Sequence, residues 1–125
     1  MAIKMTWPSD VTIMGRKYRI IEGAYQDTDK EEGTVAYGSV WHTRRIIAIT
    51  DHINSETSVN GALPVEVIIQ TFLHEVCHAL ADITGQEELD KEPMADLFGE
   101  AVTQFLRDNP WLVRSMINAL QNTNK

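Results

Sequence analysis

Between Pro64 and Gly85, the residues Ile68, Phe72, Val76, Leu80 and Ile83 recur at steps of three and four. That spacing lines one face of an α-helix and requires a core to cover it. Pro64 suits the first helical position, Glu66 complements the positive helix start, and Gly85 suits a left-handed C-terminal cap. A second helix is predicted from about Asp90–Glu92 to Arg107, with Leu97, Phe98, Val102, Phe105 and Leu106 as its apolar residues. Asn109-Pro110 reads as an N-cap and first position of a third, reaching about Leu120.

The first half alternates instead. Val11–Ile20 reads as a β-hairpin turning on Gly15-Arg16, and Tyr37–Trp41 with Arg45–Thr50 as a second strand pair joined through His42–Arg44. The polar stretches Gln26–Gly33 and Asp51–Gly61 read as loops, and residues 1–10 as a flexible lead-in. Trp7, Trp41 and Trp111 are expected to be packing residues. Strands followed by helices predict one α+β domain over residues 1–125, a small antiparallel or mixed sheet packed on two or three helices.

Charge narrows the function. The chain carries 11 Lys/Arg and 18 Asp/Glu, a formal charge of −7. Residues 63–125 hold ten of those acids against four bases. An acidic half opposes nucleic-acid binding, which needs clustered cations, and favours holding a metal cation. The single cysteine, Cys77, permits no intrachain disulfide. No apolar run resembles a signal peptide or a membrane span, so a soluble, cytoplasmic protein is expected.

His74-Glu75-Val76-Cys77-His78 lies inside the predicted first helix. A spacing of four stacks His74 and His78 on one face, where two neutral imidazoles can bind one zinc ion. Glu75, turned about 100° from His74, can act on a water without occupying the metal. These are the parts of an HExxH site: two ligands and a general base. Catalytic zinc takes a third protein ligand and leaves one position open. No histidine follows His78, so that ligand must be a carboxylate among Glu87, Glu88, Asp90, Glu92, Asp96 and Glu100. Glu92 and Asp96 stand four apart on one helical face. Glu92 is preferred as the ligand, with Asp96 accepting the free N–H of a liganding histidine. Cys77 is read as a buried packing residue beside the site.

HEVCHAL followed by Glu92-Pro-Met-Ala-Asp96-Leu-Phe98 resembles the gluzincin metallopeptidases, which pair HExxH with a later ExxxD. More narrowly, it is similar to the small ImmA/IrrE-type metallopeptidases of bacteria and phages, over roughly residues 35–107. The resemblance implies zinc at His74, His78 and Glu92, Glu75 as base and Asp96 as orienter. It also implies a protein or peptide substrate, which could be a repressor-like regulatory protein. Three features depart from the pattern. Gly99 replaces the usual Ala, an exchange expected to be neutral. Pro93 should place Glu92 at the start of its helix. The 14-residue step from His78 to Glu92 leaves no room for substrate-covering insertions.

The chemistry expected is peptide-bond hydrolysis, with Arg45–Thr50 as an edge strand on which an extended peptide could pair. For the oxyanion, His52, His42 and Tyr37 are candidates among which the sequence does not choose. The other reading is a zinc-binding interaction module without turnover. Structural zinc, however, normally closes four Cys/His positions.

Overall fold

The computed structural model describes residues 6–22, 38–49 and 64–123. They form an α+β arrangement: β1 (Asp10–Ile13), β2 (Arg16–Glu22), β3 (Gly38–Trp41) and β4 (Ile46–Ile49), then α1 (Val65–Thr84), α2 (Glu92–Asp108) and α3 (Pro110–Asn122). A 3₁₀ turn, Glu87–Asp90, links α1 to α2. The stretches Gln26–Gly33 and Asp51–Gly61, expected as loops, lie outside the described residues.

β1 and β2 form the expected hairpin, but its turn is Met14-Gly15 rather than Gly15-Arg16, since Ile13 pairs with Arg16. Both turn residues have positive φ, 49° and 82°, the type I′ geometry that matches strand twist. Moving the turn by one place shifts each partner by two. The same side chains therefore still share a face, and Val11 lies opposite Tyr18.

The sheet is mixed, in the order β1-β2-β4-β3, with β2 and β4 parallel and β3 antiparallel to β4. This corrects the expected edge. β4 is an interior strand, and Ile47, Ala48 and Ile49 are all buried, as an apolar run paired on both sides should be. The edge beside it is β3.

The α1 stripe packs on this sheet as its period requires. Ile13, Tyr18, Ile47, Ile49 and Ala79 form the buried centre, with Phe72, Val76, Leu80 and Ile83 against it. Trp7 adds to this layer, its ring centroid 4.9 Å from that of Phe72. Pro64 stands just before α1, its carbonyl accepting from Val67 and Ile68 N–H. Gly85 closes the helix at φ 74°, donating its N–H to Ala81 O.

α2 runs back along α1, and Arg107 near its end reaches Glu66 near the start of α1 at 2.7 Å. Its buried residues are Ala95, Gly99 and Thr103. The larger Leu97, Phe105 and Leu106 are exposed. The cause is close approach: a Cβ on Gly99 would lie 2.5 Å from Gln70 O and 3.2 Å from His74 N. Two helices this near have room only for small side chains between them. Gly99 is thus no neutral replacement for Ala. Asn109 stands before α3 as expected, but its side-chain amide donates to Phe105 O and finishes α2 instead. No described helix is long and apolar enough to cross a membrane.

Candidate metal centre

His74 and His78 project from one face of α1 toward the start of α2. Lys91 has extended backbone angles and Glu92 is the first residue of α2, with Pro93 directly after it. Proline is tolerated in this first turn, since its missing N–H leaves no helical bond unmade there. The early position does not spoil the aim of Glu92. Its Oε2 lies 3.0 Å from His74 Nε2 and its Oε1 3.1 Å from His78 Nε2. The two Nε2 atoms are 3.1 Å apart. One donor atom from each of His74, His78 and Glu92 can be chosen so that all lie within 4.8 Å of one another. A tetrahedral zinc with bonds of about 2.0–2.1 Å holds its donors about 3.3 Å apart, so a small outward adjustment would seat one.

The far sides of the rings are also held. His74 Nδ1 lies 2.8 Å from Asp96 Oδ1, as the Glu92/Asp96 pairing predicts. His78 Nδ1 lies 2.9 Å from Asp90 Oδ1. Spacing admits Asp90 among the possible carboxylates but gives it no role. It belongs to the 3₁₀ turn, which has no helical register with α1, so spacing could not point to it.

These contacts suit the tautomer that binds a metal. Neutral imidazole has one N–H; with Nδ1–H donated to a carboxylate, Nε2 is left as a bare acceptor. Two such acceptors then face each other and the oxygens of Glu92. Lone pairs at about 3 Å repel unless positive charge stands between them. Such a donor set could hold a metal ion. His78 is 11% exposed in its side chain while Glu92 is 69% exposed. The centre thus has a protein floor on α1 and an open side toward solvent.

Glu75 is buried. A Cβ on Gly38 would meet Thr71 Cγ2 at 2.8 Å, Ala48 O at 3.0 Å and Glu75 Cγ at 3.3 Å. The glycine lets edge strand β3 lie directly on the α1 face that carries Thr71 and Glu75. The base candidate and the sheet edge are thereby neighbours.

Cys77 is fully buried and outside the donor group, its thiol donating to Leu89 O at 3.3 Å. Burial, and then the nearby Asp90 carboxylate, push the thiol above its ordinary pKa, which keeps it protonated and inert. Together Cys77 and His78 tie the 3₁₀ turn to α1 at Leu89 and Asp90, fixing the approach to Glu92. Of the oxyanion candidates, Tyr37 and His52 lie outside the described residues. His42 Nδ1 lies 3.9 Å from Asp82 Oδ2, one helical turn beyond His78. It helps line a cleft of about 530 Å³ with Asp82, Glu87 and Asp90.

Compared with protein-family models, curated proteins and solved structures, the chain matches none.

Proposed function

We propose that this protein is a zinc-dependent metallopeptidase of the gluzincin kind, similar to the ImmA/IrrE-type enzymes, acting on a peptide or protein. The observation that carries this reading is the convergence of His74 Nε2, His78 Nε2 and the Glu92 carboxylate, with both Nδ1 atoms held by Asp96 and Asp90. Three protein donors with an exposed side suit catalytic zinc better than a closed structural site.

When bound, zinc would supply Lewis acidity to the attacking water and the scissile carbonyl. Glu75, adjacent to His74 and buried, takes the proton from that water and delivers it to the departing amine nitrogen. Asp96 and Asp90 keep each Nε2 free of its proton and correctly aimed. β3 lies beside Glu75. β4, enclosed between β2 and β3, offers no edge to a peptide.

Cleavage of a denatured-protein or peptide-library substrate by the zinc-loaded chain tests the proposal, with Glu75→Gln as comparison. The variant should retain zinc and lose at least about 100-fold in activity, the usual worth of a positioned base. Equal activity in the two would remove Glu75 from the mechanism. Zinc binding without cleavage of any substrate would favour the interaction module.

A further inference from the structure

α3 is a 13-residue helix with no buried residue, and among the described elements it contacts only α2. A helix this short is marginal in water without a surface to pack on. At 100° per residue, Leu112, Val113, Met116, Ile117 and Leu120 fall within one arc of about 140°. Arg114, Ser115, Asn118, Gln121 and Asn122 share the rest with Trp111 and Ala119. Leu120 is 68% exposed, and Leu112, Met116 and Ile117 are nearly half exposed. The stripe is built like a packing face, and no described element covers it.

We propose that this stripe pairs with the same stripe of a second copy, making the protein a homodimer through α3. Charge selects the occupant. The chain carries −7 overall, yet residues 109–125 contain no Asp or Glu and only Arg114 and Lys125 as cations. Two copies meeting through the acidic face that bears Glu87, Glu88, Asp90, Glu92 and Asp96 would repel. Meeting through α3 they do not, and a two-fold contact needs a surface compatible with itself. A near-neutral apolar stripe also offers nothing that would select a charged partner. Five partly exposed side chains provide on the order of 500 Å² per copy, or about 1,000 Å² in total, the lower end for a specific interface. An interface of this size suits a reversible dimer. It does not depend on the metal centre.

Sedimentation equilibrium of the full chain over a micromolar concentration series tests this. The mass should rise from the chain value of 14.1 kDa toward twice that value. Met116→Glu combined with Leu120→Glu should hold it at the chain value, with the thermal transition of the rest of the protein kept. Trp111 is the discriminating control. It is 79% exposed, the most of any large apolar side chain described, but lies roughly opposite the stripe on the helical wheel. Trp111→Glu should dimerise like the wild type. A wild-type monomer throughout, a mass beyond the dimer, or a dimer lost in Trp111→Glu and kept in the double variant would overturn the proposal.

Discussion

Asp90 Oδ1 stands 2.9 Å from Nδ1 of His78, although the two residues share no helix. Asp96 does the same for His74 from the first turns of α2. Each histidine thus has its own carboxylate, supplied by a separate element, and both rings turn Nε2 toward Glu92.

Asp90→Ala is expected to weaken zinc binding about 10- to 100-fold, the usual cost of removing a partner behind a metal-binding histidine. Asp96→Ala should cost a similar amount. Competition against a chromogenic chelator measures both. A loss confined to Asp96→Ala would mean that the Asp90 contact does not orient His78.

Gly99→Ala sets two effects against each other. Alanine improves helix propensity by about 1 kcal/mol. Here, however, its Cβ would sit 2.5 Å from the Gln70 carbonyl oxygen. Backbone cannot yield as a flexible side chain can, so overpacking wins and the protein should lose about 1–3 kcal/mol in urea unfolding. Zinc affinity should fall with it, because α2 carries Glu92. A stabilised variant would contradict the close approach of the helices.

Tyr18 gives a pH dependence. It is fully buried, and its hydroxyl has no hydrogen-bond partner among the described residues. Burial first, then the Asp82 carboxylate, raises its pKa above the ordinary 10.0. Below that pH the folded and unfolded chains both keep the proton. Above it the unfolded chain loses the proton first, so stability falls as pH rises beyond about 10. Tyr18→Phe should flatten that fall in thermal melts. At neutral pH it should change stability by no more than about 1 kcal/mol, since only an unpartnered hydroxyl is removed. A larger loss at neutral pH would reveal a partner for the hydroxyl.

What was legible in the sequence was what local spacing encodes. The stripe from Ile68 to Ile83, bracketed by Pro64 and Gly85, located α1, and the four-residue steps of His74/His78 and Glu92/Asp96 put the donors on facing surfaces. What was not legible depended on contacts between distant segments. Nothing in Ile46–Ile49 says that β2 pairs with it in parallel and makes β3 the edge. Likewise, large apolar residues on α2 look like core until the 2.5 Å approach at Gly99 shows that only small ones fit. Trp111, read as packing, is exposed on α3 because nothing described covers that helix. Asp90 was hidden by the 3₁₀ turn, whose geometry relative to α1 no periodicity reports.

Metal content per chain tests the central claim most directly. The protein is purified without added metal, dialysed against trace zinc and analysed by elemental mass spectrometry beside His78→Ala, Glu92→Ala and Glu88→Ala. The account predicts about one zinc per chain in the wild type and in Glu88→Ala, because Glu88 pairs with Lys91 away from the centre. Loss is predicted in the other two, which each remove one of the three proposed ligands. Wild-type protein that takes up no zinc, or His78→Ala that keeps it, would contradict the metal centre and with it the proposed hydrolysis.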